Sequence, residues 1–313
     1  MRTTALSVLL LVGCSDGDDT GKTGTTDDTN TAPEGCVGID CFVFVDQPFV
    51  GDTQCFDGVN WVEQTVGAGC VSDLSISGVV EDFESEDPVG TAFVEGWTND
   101  DITTSPDVQT QADNNGNVSL SFPSCTPVAY KTFTPDDMGQ EGARDTYEVH
   151  QTYGFSASGT SNETYNSVAQ STATLITALI GVAWDYETTA VIAGTAYDCG
   201  ESGIANAQVY IHDAAGNPPT GTEDNPFGIF YFANGLPTDN DNQPWTNDDG
   251  LWVGVNVPAG AWIADMYGWD GTAHVLLGST SLQATSGSVY ISNIYAGIED
   301  GIWYPESCLA SCE

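Results

Sequence analysis

The sequence predicts a mainly β protein, in which one amphipathic helix joins two antiparallel β-sandwiches and a disulfide-stapled cap precedes them. Many short segments alternate apolar and polar residues between Gly, Pro, Asn and Asp, a pattern typical of strands with one buried face. An ordered set of such segments occurs twice, and a helical apolar period lies between the two copies. Four cysteines are concentrated ahead of the first copy, where little apolar sequence is available to form a core.

The N-terminal residues 1–13 begin with a single positive charge at Arg2, and an apolar run from Ala5 to Val12 follows it. That run is far shorter than the roughly 20 residues a helix needs to span a bilayer, so we interpret it as a cleaved targeting segment. Leu11-Val12-Gly13-Cys14 resembles the lipobox of bacterial lipoproteins. The resemblance implies a diacylated Cys14 as the mature N-terminus; the alternative is an ordinary secretory signal with an incidental cysteine.

Residues 14–34 are rich in Asp, Thr and Gly and lack periodic apolar residues, which predicts a disordered acidic tether. Ser15 follows the predicted lipidation site, and the absence of aspartate there resembles lipoproteins of the outer membrane. We therefore expect the lipid anchor to hold the folded part at the outer membrane, facing either the periplasm or the cell surface.

The cysteine count predicts disulfides. Setting Cys14 aside leaves an even number of cysteines in a chain expected in an oxidising compartment. Zinc is the competing interpretation, but Cys-x-x-Cys pairs are missing and His150, His212 and His274 are scattered. Residues 35–72 are predicted to be a disulfide-rich cap, and the connectivity stays open. The candidates are Cys36, Cys41, Cys55, Cys70, Cys125, Cys199, Cys308 and Cys312.

Two segments, 73–133 and 188–313, carry the same order of strand and turn patterns. Period-two apolar residues form strands, Asn/Asp-Gly pairs provide the positive φ of tight hairpin turns, and proline ends the strand that follows. An internal duplication therefore predicts two β-sandwiches. The matching residues include Gly78 with Gly194, Ala92 with Ala207, Gly116 with Gly250 and Pro123 with Pro258.

The repeated order is Ile/Val-x-Gly-x-x-x-Asp, Ala-x-Val, Asp-x-Gly and Val-Pro-Ala-Gly. It resembles the carboxypeptidase regulatory-like family, closely over 188–298 and more loosely over 73–133, where Pro123-Ser-Cys replaces Pro-Ala-Gly. The resemblance implies transthyretin-like, Ig-like sandwiches. Its motifs are structural turns and strands, so they imply a fold rather than an activity. The second segment, 188–313, ends with a pair of cysteines, Cys308 and Cys312.

Residues 134–187 are predicted to be a connector that contains a helix over about 161–180. Thr160-x-x-Glu163 fits a capping box, and apolar residues recur on one helical face until Gly181. We expect this helix to pack between the sandwiches. A membrane-surface helix is the alternative, which the absence of Lys and Arg from the predicted helix 161–180 disfavours.

The charge balance excludes one class of partner. The chain has 45 Asp plus Glu against four Lys plus Arg, a formal net charge of −41. Such a charge repels phosphates, so we predict no nucleic-acid binding. Few acids can find a basic partner, and stability must rest on burial, backbone pairing and disulfides.

Motif searches give no catalytic residue. Gly154-Phe-Ser156-Ala-Ser158 lacks the second glycine of a hydrolase elbow, and a His-Glu-x-x-His pair is missing. Strand alternation would place Glu148 and His150 on one face as a conceivable general-base pair, but the sequence identifies no nucleophile beside them.

Two ligand hypotheses remain. Asp239 and Asp241 concentrate oxygen donors without the EF-hand spacing, so calcium is a possible ligand there and no other cofactor is expected. A strand in the insertion of the second sandwich carries Phe227, Phe230, Tyr231 and Phe232. These aromatics could bind a sugar or peptide, or they could complete the sandwich core.

We therefore predict a non-enzymatic, lipid-anchored envelope or cell-surface protein, with a binding or structural role and an unknown protein or glycan partner. The alternative is an accessory factor of a secreted hydrolase, or an enzyme with an unrecognised site.

Overall fold

A computed structural model describes residues 38–52, 54–55, 71–134, 142–154, 160–238, 242–298, 302–305 and 308. Several predicted features lie outside these residues: the signal peptide with Cys14, the tether, Cys36, Cys70, Cys312, Asp239 and Asp241. Cys41 closes a short 3₁₀ helix, Gly38–Cys41.

Strands dominate the described chain, together with one α-helix, α1, at Gln170–Leu179. The strands are β1 Leu74–Asp82, β2 Phe93–Trp97, β3 Val108–Gln111, β4 Asn117–Phe122, β5 Val128–Phe133, β6 Ala143–Arg144, β7 Thr146–Gln151, β8 Thr160–Ala169, β9 Thr189–Tyr197, β10 Ala207–His212, β11 Gly228–Ala233, β12 Leu236–Thr238, β13 Leu251–Pro258, β14 Gly260–Trp269, β15 His274–Ala284, β16 Val289–Ile291 and β17 Ile294–Tyr295.

These strands form two sandwiches, which confirms the predicted fold class. In the first sandwich, β4-β1-β8-β6 packs against β3-β2-β5-β7 around a core that includes Ile76, Phe122 and Tyr165. In the second, β12-β11-β13-β9-β16 packs against β10-β14-β15 around Trp252, Met266 and Leu277. Alternating burial along β4 shows the period-two pattern on which the prediction rested.

The two sandwiches repeat the same close contacts at matching positions. A Cβ added to Gly78 would lie 1.9 Å from the Glu163 carbonyl oxygen, and one added to Gly194 would lie 1.8 Å from that of Ser292. In both copies a parallel neighbouring strand approaches at the glycine, where no side chain fits. The glycines of the repeated motif are therefore required by backbone approach.

One continuous sheet joins the sandwiches, which differs from the predicted separate units. β16 pairs in parallel with β9 of its own sandwich and with β7 of the first, where Val289 lies opposite Thr146. The β1–β8 pair is also parallel, so the sandwiches are not purely antiparallel. The proposed connector 134–187 is corrected too, because β6, β7 and β8 are strands of the first sandwich, which segment 73–133 alone leaves incomplete.

The predicted helix over 161–180 is shorter than expected. Thr160–Ala169 is β8, and the helix covers only Gln170–Leu179. The capping box is wrong, because the N-cap is Ala169 and no side chain caps the helix. Pairing with β1 holds 160–169 in a strand, so tertiary contacts override the helical period.

Helix α1 packs on the outer face of the sheet that contains β11 and β13, where Phe230, Phe232 and Val253 form a hydrophobic cluster with it. Its buried residues are Thr172, Ala173 and Thr177, whereas Leu175 and Leu179 point outward. Within the described chain, no helix has the length and apolarity to cross a membrane.

Two disulfides between described cysteines connect distant parts of the chain: Cys55–Cys199 and Cys125–Cys308. The first ties the cap to the second sandwich, where Val50 also bridges to Ala205. The second ties the C-terminal segment to the end of β4 in the first sandwich. The described part of the cap therefore packs on the sandwich that is farther away in sequence.

Candidate functional site

A cleft of about 450 Å³ opens where the two sandwiches meet. One wall is the β2–β3 loop and the end of β7, and the other is formed by β14 and β15. Its lining residues are Asp100, Asp101, Ile102, Thr103, Val149, His150, Ala214, Ala261, Trp262, Ile263, Ser281, Leu282 and Gln283.

A bulge near the end of β7 turns His150 toward this cleft. The register passes from Tyr130 opposite Glu148 to Val128 opposite Gln151, which leaves one extra residue in β7. His150 has φ 59°, in the left-handed region. The predicted pairing of Glu148 with His150 is wrong for this reason: Glu148 contacts Asn166 of β8, whereas His150 reaches β15.

His150 bridges the two sandwiches. Its Nδ1 lies 2.5 Å from Oδ2 of Asp100, and its Nε2 lies 2.7 Å from the carbonyl oxygen of Ser281. Because both partners are acceptors, the ring can donate to both only as an imidazolium. Asp100, with φ 58°, also accepts a hydrogen bond from the His150 backbone N–H at 3.0 Å. Two residues in costly backbone conformations thus meet at the junction.

The remaining lining is an apolar wall with an acidic rim. The Nε1 of Trp262 donates to the Pro258 carbonyl oxygen at 2.8 Å, which fixes the indole ring. Leu282, another lining residue, is buried. At the rim, exposed Asp101 accepts hydrogen bonds from Thr103 N at 3.0 Å and Oγ1 at 2.6 Å. The lining contains no lysine or arginine, so the cleft favours a group that is both apolar and cationic.

A second group of titratable residues lies inside the first sandwich. Burial raises the pKa of Glu148, although hydrogen bonds from Tyr130 and Asn166 oppose the shift. Burial and the nearby charge of Glu148 raise the pKa of Glu163 to about 7. Burial also raises the pKa of Tyr153, whose hydroxyl has no hydrogen-bond partner. None of these groups lines the cleft.

The aromatic residues predicted as a possible ligand surface belong to the interior. Tyr231 faces the second core, where its hydroxyl accepts a hydrogen bond from Val209 N at 2.8 Å. Phe230 and Phe232 face α1 and are each 9% exposed, and Phe227 packs against the second core. Their role as ligand-binding aromatics is therefore wrong, and the alternative that they complete the core is correct.

The other histidines and the turn that begins at Asp113 have local structural contacts. His212 Nε2 lies 3.0 Å from Asp265 Oδ2, and the His274 ring stacks on Phe44. Asp113 Oδ1 accepts from the backbone N–H of Asn115 and Asn117, which closes the hairpin turn. Among the residues the structure describes, no group of three or more His, Cys, Asp or Glu could hold a metal ion. Calcium at 239–241 stays a prediction.

No family model and no curated protein matches the chain, so the resemblance to carboxypeptidase regulatory-like domains stays a prediction. Among solved structures, the chain is similar to the shaft pilin spaA of Lactobacillus rhamnosus GG, with 10% identity over 72% of this chain and 98% of that one, and a TM-score of 0.24. For the TIE protein of Bacillus anthracis, identity is 10% over 72% of this chain and 34% of that one, with a TM-score of 0.21. The major pilin of Streptococcus pyogenes has 8% identity over 73% and 99%, with a TM-score of 0.19. TM-scores this low carry no argument about function.

Proposed function

We propose that this protein is a non-enzymatic, lipid-anchored protein of the bacterial envelope that binds a basic segment of a partner protein in the cleft between its sandwiches. The observation that carries the proposal is the cleft itself, which combines the fixed indole of Trp262 with the exposed carboxylate of Asp101 at the rim. An arginine or lysine side chain satisfies both features, because its stem packs on the ring and its charge reaches that carboxylate.

The charge of the whole chain supports this partner. A net charge of −41 attracts cations over long distances and raises their rate of encounter. The fused sheet supports it as well, because backbone pairing between β7 and β16 holds the two cleft walls in place. A preorganised cleft loses less entropy when a ligand binds.

The engagement of His150 argues against catalysis. A general base needs a ring nitrogen directed at the proton it removes. Here Nδ1 is bonded to Asp100 and Nε2 to the Ser281 carbonyl, so the ring connects the sandwiches instead.

The test is calorimetric titration of the full chain with a short peptide that contains arginine and leucine. Trp262→Ala and Asp101→Asn should each weaken binding by about tenfold. The first removes the ring on which the ligand's stem packs, and the second removes the carboxylate that attracts its charge. Glu187→Gln is the matched control, because it removes one exposed acid that is not in the cleft lining. If Glu187→Gln weakens binding as much as Asp101→Asn and Trp262→Ala has no effect, the peptide senses only net charge and the cleft is not the site.

A further inference from the structure

The two cations of the described chain differ in their pairing. Lys131 Nζ lies 2.6 Å from Glu95 Oε2 and 3.7 Å from Asp145 Oδ2. Among the described residues, Arg144 forms no ion pair or side-chain hydrogen bond, although acids outnumber bases 45 to four in the full sequence. An unpaired arginine in such a chain needs a physical explanation.

Two described acids close to Arg144 or to its aromatic neighbours in sequence have other partners. Asp145, the next residue, is directed to Lys131. Asp185, which lies between Trp184 and Tyr186 in the chain, accepts hydrogen bonds from Glu187 N at 3.2 Å and Thr188 Oγ1 at 2.6 Å. Neither of these two carboxylates pairs with the guanidinium.

Two aromatic rings hold the guanidinium at the free edge of the four-stranded sheet. Arg144 Cζ lies 5.2 Å from the centroid of the Trp184 ring and 4.7 Å from that of Tyr186. The two rings are 6.4 Å apart and inclined at 76°, so they form a V around the charge. Tyr186 is 49% exposed, and its ring opens to solvent beside the guanidinium.

Two donors at this position are buried without partners: Arg144 Nε and Trp184 Nε1. A buried donor without a partner costs about 1–3 kcal/mol. Of the guanidinium nitrogens, Nε is the one found buried without a partner, and no described residue bonds either Nη group. The side chain is thus held by the two rings while its Nη donors have no partner in the described part of the chain.

We propose that Arg144, Trp184 and Tyr186 form a binding site for the carboxylate of an acidic sugar. The planar guanidinium matches a carboxylate through two parallel hydrogen bonds. The exposed Tyr186 ring offers a flat apolar surface beside the charge, which a sugar ring can cover. The net charge of −41 repels anions, and it repels them more strongly the more charges they carry. A uronate, with one charge per sugar, is therefore favoured over sulfated or phosphorylated polyanions. This site is independent of the cleft, since none of its residues lines the cleft.

The experiment titrates the full chain with digalacturonate and with its neutral methyl ester, using isothermal calorimetry. The acid should bind and the ester should not. Arg144→Gln should weaken binding by at least about tenfold, and Arg144→Lys by a similar amount, because lysine lacks the planar pair of donors. Lys131→Gln is the matched control, since it removes the same charge from a lysine that is already paired, and it should leave the affinity unchanged.

Thermal melting of each variant checks the fold, and Tyr186→Ala removes the ring without altering charge. Digalacturonate binding that persists in a folded Arg144→Gln chain would overturn the site. A glutamate-containing tripeptide that binds as tightly as the sugar would overturn the sugar assignment in favour of a protein carboxylate. Binding of the arginine peptide in the cleft should be unchanged in these variants, so failure here and failure of the proposed function are distinguishable.

Discussion

Asn256 connects three segments of the second sandwich, and replacing it tests how a chain with few ion pairs is stabilised. The side chain is fully buried, at a register shift of β13. Oδ1 accepts from Asp185 N at 2.9 Å and Thr189 Oγ1 at 3.2 Å. Nδ2 donates to the carbonyl oxygens of Ala183 at 2.9 Å and Pro226 at 3.0 Å. The segment after α1, the strap before β11 and β13 are therefore joined by one amide.

The expected cost of Asn256→Ala follows from these contacts. Four net hydrogen-bond contributions of about 0.5–1.5 kcal/mol each amount to roughly 4 kcal/mol. The φ of 60° adds about 1 kcal/mol for alanine, because asparagine tolerates the left-handed region better. We therefore expect the free energy of unfolding to fall by roughly 5 kcal/mol, measured by urea denaturation.

Two variants separate these contributions. Asn256→Gly removes the same hydrogen bonds but adopts positive φ freely, so it should be about 1 kcal/mol more stable than Asn256→Ala. Asn234 has φ 53° but is exposed, and Asn234→Ala should cost only about 1 kcal/mol. If Asn256→Ala costs no more than Asn234→Ala, the buried amide contributes nothing and the reasoning is refuted.

Three further predictions concern other parts of the fold. Mutating Cys125 and Cys308 to serine should lower the free energy of unfolding by about 5 kcal/mol, because the disulfide spans 183 residues; an unchanged urea midpoint would contradict this. Gly194→Ala should cost at least about 3 kcal/mol by calorimetry, since its Cβ meets a backbone carbonyl; a normal melting temperature would show that β16 can shift. The pKa of Glu163 is raised to about 7 in the folded state, so the folded chain binds this proton more tightly than the unfolded chain does. The free energy of unfolding should therefore fall as the pH rises from about 5 to about 8. Glu163→Gln should flatten that fall in melting temperature, and an equal slope in both proteins would exclude Glu163 as its source.

The sequence predicted those features of the fold that depend on local pattern. Alternation in β4 and the turn at Gly116 are visible in the chain because neighbouring residues cause them. The range of α1 was wrong because Tyr165 and Val168 fit either period, and pairing with β1 decided for a strand. A contact between segments far apart in sequence leaves no pattern among neighbouring residues, so it cannot be read from the sequence in this way.

The same reason applies to the two sites. The sequence pattern points to His150 but not to Asp100 and Ser281, its partners 50 and 131 residues away. The bulge that turns His150 has no glycine to mark it. For Arg144 a signal did exist, because it is one of only four Lys plus Arg residues in the chain.

The fused sheet solves a problem that the composition creates. Two strongly acidic sandwiches repel each other, and a flexible linker would let them separate. Ion pairs cannot hold them, because the chain has almost no bases. Backbone pairing of β7 with β16 is uncharged, and it brings Tyr147 into a stack with Tyr290 at 4.7 Å. Trp97 and Val149 of the first sandwich join the core of the second. Salt screens the repulsion between the acidic sandwiches but has little effect on neutral contacts. We therefore expect the junction, and with it the geometry of the cleft, to stay the same at low and high salt concentration.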